Sequence, residues 1–167
     1  MNPIVDPRYY GIPCKALPSG FARLVGIPSA QVPPVISGTV FISSTEVVGY
    51  LWGPDSLNPY EGFRLREPDD RLGNVVLVYH GSFSVPLIAA QTEASEARTL
   101  VSQHRVSEAV AMAQDAARLA PDSAEVTHVL AQVLTAAGQS DEAGQAAART
   151  RELARTIHPE LQKALQK

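Results

Sequence analysis

Apolar residues recur at three- and four-residue steps over 92–103 and 124–136, where Val126, Val129, Leu130, Val133 and Leu134 fall on one side of a helix. Helices are therefore predicted near 92–103, 106–119, 123–137 and 141–157. Their boundaries carry their own signals. Gly138 permits the left-handed turn that stops a helix, Asp141 is placed to cap the next one, and "APDS" at 120–123 reads as a stop followed by a start. "HPELQKALQK" restarts a shorter, polar helix from Pro159. Upstream the period changes to two. "PVISGTVFISSTEVVGYLW" predicts a strand over 35–43 with a short continuation near 46–52, and "LGNVVLVYHGSFSVP" predicts a β-branched strand over 74–80 with an edge near 82–85. Gly38, Gly73 and Gly81 supply breaks or bulges. Residues 1–34 read as proline-punctuated loop with one short helix near 19–25. The expected class is α+β: a small antiparallel β region with long loops, then a stack of helical hairpins.

Composition divides the chain at the same place. Residues 1–88 hold 11 of the 13 prolines and 9 of the 11 glycines, whereas residues 89–167 hold 20 alanines. Two regions, 1–88 and 89–167, are expected. Laying 90–123 over 124–157 places Ala97 on Ala131, Leu100 on Leu134, Ser107–Ala109 on Asp141–Ala143, and Ala113 on Ala147, at an offset of 34 throughout. With Pro121 closing the first unit, this region resembles the tetratricopeptide repeat, a helix-turn-helix unit of that length. Arg155, where the closing proline is expected, and Thr150, at the third small position, depart from the pattern.

The resemblance implies a concave face, lined by the first helix of each pair, that grips a protein or peptide. Here that face would carry Gln91, Ala94, Arg98 and Val101, then Glu125, His128, Gln132 and Thr135. Only Arg98 among them is basic, so the paired Lys and Asn that clamp a C-terminal carboxylate in some members are missing. The lone His128 reads as a surface residue rather than a ligand. Two repeats are fewer than the roughly three that usually bury a continuous core. The first half of the chain is expected to cover the open side of the first pair, and the piece from Pro159 to cap the other end.

Charge and chemistry narrow the function. A net charge of −3 with no basic stretch argues against a nucleic-acid partner. The single Cys14 and the absence of C-x-x-C or His-x-x-x-His spacing leave no metal or cofactor expected. No apolar run reaches the roughly 18 to 20 residues that span a bilayer, and "MNPIVDPRYYGIPCK" lacks the basic start and apolar stretch of a leader. Glu46, Asp55, Glu61, Glu67, Asp69 and Asp70 could pair as general acid and base, but their spacing supports no particular pair. Ser43, Ser44 and His80 occur without a G-x-S-x-G elbow. The loop 50–63 holds Tyr50, Trp52 and Tyr60, which could stack on a sugar; in a small domain short of Leu and Phe such residues more often form the core, and Trp52 and Phe63 are expected to be buried. In "LNPYEGF", Asn58 favours a turn and Pro59 opens a helical turn carrying Tyr60 and Phe63 to one side.

The string from "YYGIPCKALP" through "GTVFISSTEVVGYLWGPDSLNPYEGFR" to "VVLVYHGSF", followed by the repeat-like helices, resembles the soluble C-terminal region of bacterial membrane glycosyltransferases of the dolichyl-phosphate-mannose protein mannosyltransferase type. That resemblance implies an extracytoplasmic setting, with membrane attachment only through segments upstream of this sequence. It transfers no catalytic residue, because the family's sugar-transfer site lies in those segments. Without it, a cytoplasmic setting is the expectation. The leading reading is a non-catalytic protein-interaction module, with a glycan or glycan acceptor as a further partner. The alternatives are a carbohydrate-binding domain using loop 50–63 and, more weakly, a hydrolase using His80.

Overall fold

The computed structural model describes residues 13–24, 29–52 and 56–157. Its β region is one antiparallel sheet in the order β1-β3-β2, formed by β1 (Val35–Ser43), β2 (Asp70–Leu72) and β3 (Val76–Ser84). β1 and β3 pair along their whole length, from Val35 opposite Ser84 to Ser43 opposite Val76. β2 covers only the beginning of β3, from Asp70 opposite Val78 to Leu72 opposite Val76. Short helices decorate the sheet: α1 (Gly20–Leu24), α2 (Ser44–Val48), a 3-10 turn at Tyr50–Trp52, and α3 (Glu61–Arg64). The helical half comprises α4 (Pro86–Ser102), α5 (Val106–Leu119), α6 (Ala124–Ala136) and α7 (Ser140–Ile157).

Several boundaries differ from the sequence expectation, each for a local reason. The strand expected near 46–52 is instead α2 and the 3-10 turn. Ser43 Oγ accepts the Glu46 N–H at 3.3 Å, capping a helix, and Gly49 at φ 80° ends it. β3 does not stop at Gly81. Gly38 and Gly81 face each other in register at φ 122° and 134°, so the glycines carry both strands through a conformation closed to other residues. The edge expected near 82–85 is the end of that same strand. β2 is a strand that the spacing does not predict: within "REPDDRLG", Asp70–Leu72 pairs briefly before Gly73 turns the chain into β3. α4 begins at Pro86, six residues before the predicted start, because proline fits the first helical position. α7 starts at Ser140, which puts Asp141 inside the first turn rather than at the cap. The helix expected from Pro159 lies outside the described residues.

The remaining signals hold. Ser123 Oγ caps α6 through the Val126 N–H at 3.3 Å. The turn after α4 and the turn after α6 are the same structure 34 residues apart. His104 at φ 62° and Gly138 at φ 74° take the left-handed position, and the next residue bonds back to a matching leucine: Arg105 N–H to Leu100 C=O at 2.9 Å, Gln139 N–H to Leu134 C=O at 3.0 Å.

Two cores meet in α4. The inner face of the sheet (Val40, Ile42, Tyr79, Phe83) packs with Val47, Trp52, Tyr60 and Phe63, and Ile88 from the first turn of α4 closes this cluster. One turn on, Ala90, Ala94, Ala97 and Leu100 join Ala109, Ala113 and Ala116 of α5 and Val126, Val129 and Val133 of α6. Small side chains at the crossings let the hairpins approach closely. The first half does touch the first helical pair, through its extended 31–34 segment: the Val32 N–H donates to Thr92 Oγ1 at 3.2 Å.

Candidate partner-binding face

α4 and α6 lie side by side, each packed on its own second helix, α5 and α7. Equivalent positions of the two repeats thereby become neighbours. Gln91 Nε2 donates to Glu125 Oε2 at 3.4 Å across that 34-residue separation. Further along α6, His128 and Gln132 join through Nε2 atoms at 3.0 Å. Of the eight residues expected on this face, Arg98, His128, Gln132 and Thr135 are exposed, Gln91, Val101 and Glu125 are half-buried, and Ala94 is buried in the core beneath. Thr135 Oγ1 donates to the Ala131 carbonyl of its own helix at 2.8 Å. Gln91 Oε1 is buried with no hydrogen-bond partner. These eight residues offer the face hydrogen-bond donors, acceptors and a single cation, Arg98.

The aromatic loop is built differently. Trp52 and Tyr60 are each 2% exposed and Phe63 3%. Trp52 Nε1–H donates to Glu46 Oε2 at 2.9 Å, and both carboxylate oxygens of the buried Glu46 accept the Gly20 N–H, at 3.1 and 3.0 Å. The Tyr60 hydroxyl donates to the Pro18 carbonyl, and burial, with Glu46's charge second, pushes that phenol far above its ordinary range. Stacking on a sugar takes an open aromatic face; of Tyr50, Trp52 and Tyr60 only Tyr50 presents one.

The carboxylates are dispersed among separate partners. Arg64's hydrogen bond holds the Glu61 carboxyl below its usual value, Asp69 Oδ2 accepts the His80 backbone N–H at 2.7 Å, and Asp70 Oδ1 accepts the Arg71 N–H at 2.7 Å. His80 lies within β3 with Nδ1 3.0 Å from Thr39 Oγ1, so the nearby acid bonds its backbone and not its ring. Asp55 lies outside the described residues. Among the described residues no cluster of His, Cys, Asp and Glu could hold a metal ion, and no helix is long and apolar enough to cross a membrane.

One feature escaped the sequence reading. A cavity of about 430 Å³ lies between the 58–66 segment and the end of β3, with Phe63, Arg66, Ser82, Phe83 and Leu87 on its walls. Pro68, which cannot continue the pairing of β2, was its available signal.

Comparison with known proteins bears on the helices. Residues 100–167 match the family model of the tetratricopeptide repeat. The match opens in the last turn of α4 and takes in α5, α6 and α7, supporting a tetratricopeptide-repeat reading of the helical half. No curated protein and no solved structure matches the chain.

Proposed function

We propose that the chain is a non-catalytic interaction module whose α4–α6 face binds a protein or peptide partner. The observation that carries this is the side-by-side placement of equivalent repeat positions, seen in the Gln91–Glu125 bond, within a region that extends into the tetratricopeptide-repeat match. A photo-reactive residue at Arg98 or Gln132 tests it, with Arg118, exposed on α5, as control. Cross-links to one partner from the first two positions and none from the third are expected; equal yields from all three would sink the proposal. The finer part of the reading places this module in the extracytoplasmic tail of a membrane glycosyltransferase, supported by the sequence resemblance alone. The reading frame upstream of Met1 decides that part: several long apolar segments are expected, and an immediate stop codon overturns it.

A further inference from the structure

The register of the sheet leaves part of its central strand open. Ser44 N–H bonds Val75 C=O and Val85 N–H bonds Pro34 C=O, so the odd-numbered residues of β3 turn their backbone groups toward β1. The even-numbered ones face the other way, where β2 serves only the first few: Asp69 N–H donates to Val78 C=O at 2.9 Å. There the partner strand fails, because Pro68 has no N–H to give, and the Asp69 carboxylate takes the His80 N–H instead. Beyond His80, the N–H and C=O of Ser82 and the N–H of Ser84 face the cavity with no hydrogen-bond partner among the described residues. The edge from His80 to Ser84 spans about 13 Å, room for three or four extended residues.

Its surroundings restrict what can lie there. Phe63, Phe83 and Leu87 make one wall apolar. Arg66 stands at the His80 end, its guanidinium 5.0 Å from the centre of the Phe83 ring and Nη2 3.4 Å from the His80 carbonyl. Among the described residues no carboxylate is ion-paired with Arg66; Glu61, the other charged lining residue, is paired with Arg64. Asp69 does not line the cavity and holds the His80 N–H. A chain laid along this edge meets β2 where Arg66 stands, so it must end or turn away there. Running parallel to β3 it would bring an N-terminal ammonium to a guanidinium; running antiparallel it brings a carboxylate.

We infer that the open edge of β3 is a peptide-docking site that takes the last three or four residues of a partner as an added antiparallel strand, with the C-terminal carboxylate on Arg66. Backbone bonds to Ser82 and Ser84 supply affinity, and the Phe63–Phe83–Leu87 wall selects an apolar side chain near the end. The site is separate from the α4–α6 face and does not depend on it.

The test selects from random hexapeptides displayed with free C-termini, then compares the chosen sequences as free acids and as C-terminal amides by calorimetric titration. The acid should bind at least tenfold more tightly than the amide, and the Ser82 and Ser84 amide protons should shift and exchange more slowly on binding. Gly62 lines the cavity and an added Cβ there meets nothing within 4 Å, so Gly62→Leu has room for its first atom and should obstruct the groove. That variant should abolish binding with an unchanged melting temperature, Arg66→Gln should weaken it at least tenfold, and Arg98→Ala with Gln132→Ala should leave it intact. Equal binding of acid and amide, shifts confined to α4 and α6, or full binding by Gly62→Leu each overturns the assignment. So does the absence of any selected sequence, or self-association abolished by Gly62→Leu, which would make the occupant a second copy.

Discussion

His104 holds a left-handed conformation, φ 62°, that suits glycine, and its counterpart 34 residues on is Gly138. An L side chain there costs about 1–2 kcal/mol, part of which glycine returns as unfolded-chain entropy. His104→Gly should therefore stabilise the protein by ~0.5–1 kcal/mol in urea unfolding; a loss would mean that the imidazole makes a contact worth more than the strain. Glu93 gives a pH-dependent case. Burial raises its carboxyl pKa above the ordinary 4.5, only partly offset by Arg118, and its Oε2 is buried without a partner. A raised acid pKa means that the folded state holds the proton more tightly. Stability is then fullest below the unfolded value and is lost as pH rises through the folded one. Glu93→Gln should raise the melting temperature by a few degrees at pH 7, and the gain should vanish near pH 4. A gain constant across pH would assign the effect to packing instead of charge.

At the level of elements, the buried Glu46 joins three short pieces through its two carboxylate oxygens. It accepts the N–H of Gly20 at the start of α1, sits in α2, and receives the indole N–H of the 3-10 turn. Gly20 is required by the same approach, since a Cβ there would stand 2.5 Å from that of Leu51. Glu46→Ala strands two buried donors and should cost ~2–4 kcal/mol, read by thermal unfolding and a shifted Trp52 emission; an unchanged emission would place the indole elsewhere. Elements like these were hard to read in advance. Helices α4 and α6 follow from three- and four-residue spacing that recurs after 34 residues, so each copy checks the other. "STEVV", by contrast, has the β-branched composition of a strand, and only the Ser43 cap and Gly49 make it a helix. Gly81 looked like a break because glycine weakens strands, yet opposite Gly38 it lets two strands continue. The candidate face is an expectation that follows from the repeat; the open edge of β3 depends on register, which spacing along one strand does not specify.

For the whole molecule the decisive element is α4, which belongs to both cores. Composition suggests two regions parting near residue 88, but Ile88 is 0% exposed in the sheet core while Ala90, also 0% exposed, lies in the helical core. A boundary inside a continuous helix cannot be a hinge without breaking that helix. The Val85 N–H bond to Pro34 and the Val32 N–H bond to Thr92 tie the same helix to the chain before β1. The two halves should consequently unfold together. Trp52, the single tryptophan, reports on the sheet core, and far-UV circular dichroism is dominated by α4 to α7, so the two signals watch opposite halves. Their urea transitions should coincide, and Ile88→Ala, which empties a fully buried site, should lower both midpoints together by ~2–5 kcal/mol of stability. If instead the substitution moves only the fluorescence transition, the repeats fold by themselves and the sheet is an appendage. Coincidence has a functional meaning: an event at the open edge of β3 and one on the α4–α6 face would then stabilise a single cooperative unit, and occupancy of either would protect the other from unfolding.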